Sequence, residues 1–244
     1  MIFGEAVCLK TTTSASVARS THPHPLTLEA VLRYAITNRS LLPGNHRQQQ
    51  EALLQQAATW ASLPHPHTIH SIQLREKDLT PTELTLLTRH ILAILRTTAS
   101  TTKLLLNASS AAGHGIEIAL AEAAHGIHLT STTPQTPEEI RSQFAAAQLP
   151  PPILTISCHT LDEVEAARLQ SFDAILFAPV FSKALPTQTL PGTGLALLRA
   201  TCLLAAPTPV LALGGVTPQN TQSCLDAGAA GIAAIRLFCP HPSE

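Results

Sequence analysis

The sequence is short of charge. Of its 244 residues only 13% are charged and 3% aromatic, with a single Met, a single Trp and a single Tyr. The 15 basic and 16 acidic side chains nearly cancel, leaving a formal net charge of −1. There is no basic excess to neutralise a phosphate backbone, so nucleic acid is excluded as a partner. Cysteine is sparse too. The five (Cys8, Cys158, Cys202, Cys224, Cys239) are scattered and no pair stands at CxxC spacing. A reduced, cytoplasmic protein without a disulfide framework is expected. No apolar run approaches the ~18–20 residues that span a bilayer, and the N-terminus lacks the apolar segment of a signal peptide. A membrane partner is therefore not expected, and the N-x-S matches at Asn38 and Asn107 read as chance.

What is present is apolar material: 45% of residues are hydrophobic. That excludes disorder, which combines low hydrophobicity with high net charge. The length suits one large core, since α/β barrels use ~200–250 residues as a single domain. Residues 1–27 are polar and irregular, ending in Thr21-His-Pro-His-Pro25, and read as a flexible N-terminal extension. Residues 28–244 read as the folded domain. A second His-Pro stretch, Leu63–His67, with His70 nearby, invites a metal reading. No Cys, Asp or Glu stands near enough to complete a ligand set, so a polar loop is expected there.

From residue 31 onward short apolar runs alternate with helical stretches. Eight strands are expected: Val31–Thr37, Ser71–Arg75, Lys103–Asn107, Gly126–Thr130, Ile153–Cys158, Ala174–Val180, Val210–Leu213 and Gly231–Leu237. They are short, apolar and bounded by Gly and Pro, as buried parallel strands are. Helix starts are the sharpest local signal. Thr80-Pro-Thr-Glu83 and Thr136-Pro-Glu-Glu139 each combine an N-cap Thr, a Pro at the first helical position and a Glu at the third. Thr160-Leu-Asp-Glu163 repeats the box without Pro, and Thr217-Pro218 repeats it with Asn220 in place of Glu. Helices are expected at Gln48–Ala61, Thr80–Leu95, Glu117–Ala124, Thr136–Ala147, Leu161–Gln170, Leu195–Leu204 and Thr217–Ala227. Eight parallel strands with alternating helices predict a (β/α)8 TIM barrel. A doubly wound sheet is the alternative. The eighth helix is short or missing, because Cys239–Glu244 is too brief to form it. A second copy of the chain would cover the gap, so a homo-oligomer is the expected assembly.

In such a barrel the ligand lies at the C-terminal ends of the strands. The second strand reads Ser71-Ile-Gln-Leu-Arg-Glu-Lys-Asp78. Alternation places Gln73, Arg75 and Lys77 on one face and Ile72 and Leu74 on the other. The apolar pair must meet the helices, so the polar three point into the barrel mouth. A bound anion would supply the partners that burial would otherwise deny them. Other strand ends offer Asn107, His128, Ser157 with His159, Lys183, Gly214-Gly215 and Arg236. Taken alone, His128 reads as a satisfied core histidine, and the Gly pair as either a tight turn or a close approach to phosphate.

These residues together resemble the thiamine phosphate synthase and thiazole tautomerase (TenI-like) family. The similarity runs through Tyr34–Gly44, Leu74–Asp78, Gly126–Leu129, Ser157–Glu163, Phe177–Phe181 and Ala212–Pro218, in order, from about residue 31 to 238. It implies a (β/α)8 barrel acting on a small phosphorylated thiazole. In the synthases, Gln, Arg and Lys of the second strand hold a pyrophosphate; Gln73, Arg75 and Lys77 match them, and Asn107 matches an asparagine ending strand 3. The two aspartates that hold Mg²⁺ in synthases have no counterpart: Ala108 stands at the first, and Thr130–Thr133 carries no carboxylate for the second. The Ser109–Gly115 stretch looks inserted, the strand-6 loop departs from the synthase pattern, and Arg236 replaces a serine.

The resemblance therefore implies a tautomerase-like enzyme with no metal cofactor. Its reaction shifts a proton to aromatise a thiazole carboxylate phosphate. Such a shift suits a histidine, whose pKa lies near working pH, and His159 of the Ser-x-His motif is that residue. Gln73, Arg75, Lys77, Asn107, Ser157 and Lys183 would hold the substrate, and Gly214, Gly215 and Arg236 its phosphate. The alternative is a thiamine phosphate synthase, a transferase needing Mg²⁺. A third reading is a non-catalytic thiazole or thiamine phosphate binder.

Overall fold

The computed structural model describes residues 31–184 and 189–238. The extension expected at 1–27 lies outside them. In chain order the elements are β1 (Leu32–Ile36), α1 (His46–Ala61), β2 (Ser71–Leu74), α2 (Pro81–Thr97), β3 (Lys103–Asn107), α3 (Gly115–Ala121) and β4 (Gly126–Leu129). There follow α4 (Pro137–Ala146), β5 (Ile153–Cys158), α5 (Leu161–Arg168), β6 (Ala174–Phe177), β7 (Lys183–Ala184), β8 (Thr189–Leu190), α6 (Gly194–Ala205), β9 (Val210–Leu213), α7 (Thr221–Asp226) and β10 (Gly231–Ala234). Eight of the strands close a barrel in the order β1-β10-β9-β6-β5-β4-β3-β2. Every barrel pairing is parallel. This is the TIM-barrel fold. The short β7 and β8 pair antiparallel outside it.

Alternation along the strands sorts the core into two layers. Outward residues such as Ile72, Leu74, Leu104 and Leu106 pack beneath the helices. From α2 they meet Leu84, Leu87, Ile91 and Leu95, spaced by three or four and each no more than 4% exposed. Full burial of such a side chain stabilises by about 1.5–3 kcal/mol. The inner layer is small: Tyr34, Ile36, Leu105, Leu176, Leu211 and Ala233. Leu32, Ile153, Leu213 and Ile235 pack against its edges, while Gln73, Asn107, His128, Thr155 and Ser157 are polar side chains at inward positions.

The Thr boxes start helices as expected. Thr80, Thr136 and Thr160 each accept from the third helical amide, while Glu83, Glu139 and Glu163 reach back. Thr217 does not. The carboxamide of Asn220 accepts from the Thr217 amide at 2.8 Å and donates to the Gly215 carbonyl at 3.0 Å. The Thr217-Pro218 segment is thus a turn, and α7 begins only at Thr221. Before α3, expected from Glu117, the chain turns sharply. Ala111 and Ala112 adopt positive φ (48° and 56°), and α3 starts at Gly115. Among the described residues no helix follows β10. There the Trp60 indole of α1 donates to the Phe238 carbonyl at 2.6 Å, tying the last described residue to the first helix.

Candidate active site

The β2 end sorts its charges. Gln73 points into the barrel and is 1% exposed, and its Oε1 has no hydrogen-bond partner among the described residues. An unmet polar atom at such depth costs about 1–3 kcal/mol, which suits a position that meets a ligand. Arg75 is half-buried and Lys77 exposed. Neither forms an ion pair among the described residues. The intervening acids turn the other way. Glu76, 2% exposed, accepts from the Arg39 amide through both oxygens (3.1 and 3.2 Å), and its carboxylate lies 3.8 Å from the Arg39 guanidinium. Asp78 takes the other side of the same guanidinium. Burial raises the Glu76 pKa, and hydrogen bonds from Thr37 and Arg39 oppose that rise. Thr37 also accepts from the Arg75 amide at 2.9 Å, joining the ends of β1 and β2. Arg39 thereby occupies both acids and leaves the Arg75 and Lys77 cations free.

Asn107 ends β3 and is 2% exposed. Its Oδ1 accepts from the Ser109 amide and hydroxyl at 3.0 and 2.6 Å, which directs its amide nitrogen the other way. Part of the reason for an amide here is thus the turn that follows. Deeper in the barrel a hydrogen-bonded row links β1 to β5 and β4. The Tyr34 hydroxyl meets Thr155 Oγ1 at 3.0 Å, Thr155 meets His128 Nδ1 at 2.9 Å, and His128 Nε2 meets Ser157 Oγ at 2.9 Å. Burial, with the Arg75 charge adding to it, pushes the His128 pKa down to about 3, so the ring is neutral near pH 7. Burial also raises the Tyr34 pKa, keeping the phenol protonated. His128 is the satisfied interior histidine that its setting suggested.

His159 stands two residues beyond Ser157 and is exposed. Its Nδ1 lies 2.7 Å from the Ala178 carbonyl. A carbonyl only accepts, so Nδ1 carries a proton, and it is Nε2 that is left to exchange one. Glu163 accepts from the His159 amide, anchoring the residue to the start of α5.

Gly214 and Gly215 follow β9 with φ of +93° and +66°. A Cβ on Gly214 would lie 2.8 Å from Pro179 Cα, and one on Gly215 would lie 2.7 Å from Phe181 Cβ. Packing against the segment after β6 and the turn itself therefore both require glycine. Arg236 is exposed beyond β10 and makes no ion pair among the described residues. Lys183 opens β7, and the side-chain role expected for it lies outside what is described.

Several site contributors are not singled out by the sequence: Tyr34, Thr37, Arg39, Glu76, Asp78 and Thr155. Thr155 carried a signal, being a polar residue on the inward parity of a barrel strand. Arg39 opens a single 3-10 turn (Arg39–Leu41) and Glu76 follows β2, positions that no periodicity marks. The Leu63–His70 histidines gather no ligand set; among the described residues no group of three His, Cys, Asp or Glu could hold a metal. His67 and His70 instead contact Arg33.

The Mg²⁺ that the resemblance ties to the synthases is not matched by donors here. Magnesium is bound through carboxylates and substrate phosphates. Ala108 is buried and offers a methyl group. The Thr130 and Thr133 hydroxyls bond within their own turn, to each other, to Thr132 and to the Thr130 amide. These residues do not fit the ion.

Comparison with known proteins agrees with the barrel fold. A family model described as "Thiamine monophosphate synthase" matches residues 33–238. A thiamine-phosphate synthase of Albidiferax ferrireducens is 31% identical over 234 residues, covering 91% of each chain. One from Methanoregula boonei is 30% identical over 173 residues, covering 70% of this chain and 73% of its own. Among solved structures, a thiamine phosphate pyrophosphorylase from Pyrococcus furiosus superposes with a TM-score of 0.61 at 23% identity, over 85% of this chain and 87% of that one. Barrel fold and sequence similarity converge: the chain belongs to the thiamine monophosphate synthase (TMP-TENI) family.

Proposed function

We propose that the protein is a metal-independent, thiazole tautomerase-like enzyme that shifts a proton on a thiazole carboxylate phosphate. The observation that carries this reading is the His159 contact with the Ala178 carbonyl. It leaves Nε2 as the atom that accepts a proton from carbon and returns it elsewhere on the ring. The imidazolium formed in between keeps its Nδ1 bond, so the transfer needs no reorientation of the ring. Arg75 and Lys77, unpaired, attract the anionic groups of the substrate, and Gln73 meets it from below. The turn at Gly214-Gly215 and Arg236 take its phosphate. No step calls on a divalent ion, in keeping with Ala108 and the Thr130–Thr133 turn.

A second reading, thiamine phosphate synthase, is favoured by the names of the relatives in Albidiferax and Methanoregula. It requires Mg²⁺-dependent release of pyrophosphate from a pyrimidine pyrophosphate and a thiazole phosphate. The two are separated by incubating the protein with the non-aromatic thiazole carboxylate phosphate and following aromatisation by absorbance, with chelator present. A His159→Ala control runs alongside. Aromatisation that survives chelation and is lost in the control supports the tautomerase. Pyrophosphate release on titrating Mg²⁺, without aromatisation, supports the synthase. Ligand-induced thermal stabilisation with neither turnover leaves a binding protein.

A further inference from the structure

The buried row Tyr34–Thr155–His128–Ser157 contains three hydrogen bonds and four protons, and the count restricts how they are arranged. Tyr34, Thr155 and Ser157 each have one hydroxyl hydrogen, and the neutral His128 ring has one N–H. Tyr34 is 3% exposed, Thr155 2% and His128 2%, so a hydrogen without an acceptor there is costly. Suppose Ser157 donated to Nε2 and Nδ1–H donated to Thr155. Thr155 would then have to donate to Tyr34, and the phenol hydrogen would have no acceptor among the described residues. Suppose instead that Tyr34 and Nδ1–H both donated to Thr155. The Thr155 hydrogen would then be the stranded one. One arrangement places every buried hydrogen: Tyr34 donates to Thr155, Thr155 to Nδ1, and Nε2–H to Ser157.

We propose that Tyr34, Thr155 and His128 form a one-way hydrogen-bond relay that holds the half-buried Ser157 hydroxyl as a donor into the barrel mouth, where it recognises an anionic oxygen of the ligand. Ser157 already accepts from His128, so its own hydrogen is free to leave the network. An anionic oxygen is the expected acceptor because Ser157, inward near the end of β5, faces the same barrel mouth as Arg75, which follows β2 on the inward parity and forms no ion pair among the described residues. The relay and the His159 contact fix opposite roles two residues apart: Ser157 gives a proton bond, and His159 Nε2 takes one. His128, Thr155 and Tyr34 are positioning residues in this scheme. The inference concerns ligand recognition and stands whether the bound molecule is isomerised, condensed or merely held.

The test needs no turnover. Protein labelled with ¹⁵N-histidine, with His128→Gln to assign the signal, reports which ring nitrogen carries hydrogen. The expected result is a neutral His128 protonated at Nε2 from pH 5 to 8. Protonation at Nδ1 overturns the relay. Thr155→Val, close in shape, removes the donor to Nδ1 and should release the ring to a mixed or Nδ1–H state. An unchanged tautomer in that variant overturns it as well. Inorganic phosphate and acetate are then titrated separately. Ser157→Ala should weaken one of them by roughly 10-fold, the size expected for a lost hydrogen bond to a charged group, and Thr155→Val should weaken the same one by less. Whichever anion responds identifies the group as phosphate or carboxylate. No change for either anion in Ser157→Ala overturns the recognition role.

Discussion

The Arg39 guanidinium and the Glu76 carboxylate face each other at 3.8 Å behind the barrel mouth, each side chain only 3% exposed. Removing one member of such a pair leaves the other charged and buried, which costs about 3–5 kcal/mol. Arg39→Ala should therefore lower the urea midpoint strongly. Glu76→Gln, which keeps two acceptor or donor atoms for the loop, should cost less. Arg39→Ala should also weaken phosphate binding, because Asp78 is then free to pair with the neighbouring cations.

His128 predicts a pH dependence of stability. Its folded pKa is pushed down to about 3, below the ordinary imidazole value near 6.5. Between those values the unfolded chain binds a proton that the folded chain refuses. Stability should thus fall as pH drops through that window, by up to about 1.4 kcal/mol per pH unit from this group. Denaturation series at pH 7, 6 and 5 should show a shallower decline in His128→Gln than in the parent protein.

The α2 cap should respond to acid as well. Hydrogen bonds from Thr80, with help from His46, hold the Glu83 carboxyl down at about 2. The benefit is complete above the ordinary carboxylate pKa and is lost as pH falls toward 2. Thr80→Ala should cost about 1 kcal/mol at pH 7 and less at pH 3, read from thermal unfolding at both.

Substituting His159 should act on rate and spare the fold. The ring is exposed and makes one hydrogen bond through its side chain. His159→Gln is expected to slow aromatisation by about 10²–10⁴-fold with little change in melting temperature. An undiminished rate would remove His159 from the reaction.

Gly215→Ala forces a side chain into the left-handed region and into contact with Phe181 and the Ser182 carbonyl. A destabilisation of about 1–3 kcal/mol is expected, visible as a lowered midpoint in denaturant.

Much of this site could be read along single strands. Gln73 faces inward because Ile72 and Leu74 cannot, and the Thr-x-x-Glu boxes at 80, 136 and 160 place three helices without tertiary information. The Thr217 box failed for a local reason: an Asn in place of Glu can cap the turn itself, and Asn220 does so while also holding Gly215. The contacts that escaped reading join distant segments. Arg39 meets Glu76 across 37 residues and Tyr34 meets Thr155 across 121. Such pairs follow from barrel closure, which strand periodicity implies only as an architecture and not as a list of contacts. His128 is legible as an interior residue, yet its tautomer depends on Thr155 and Ser157 of β5 and, through Thr155, on Tyr34 of β1.

The seam of the barrel lies between β1 and β10, where Tyr34 is registered beside Ala233. On the ribosome, β1 must wait for nearly all the remaining strands before its final neighbour emerges. Until then the growing ring has two open edges and a water-filled interior, and pairings this far apart in sequence form slowly. Tyr34 belongs to the first strand, and the hydroxyl it bonds belongs to the fifth. The machinery around Ser157 is therefore assembled dry only when the last strand docks, so a truncated or nicked chain would lose the site well before it lost most of its helices.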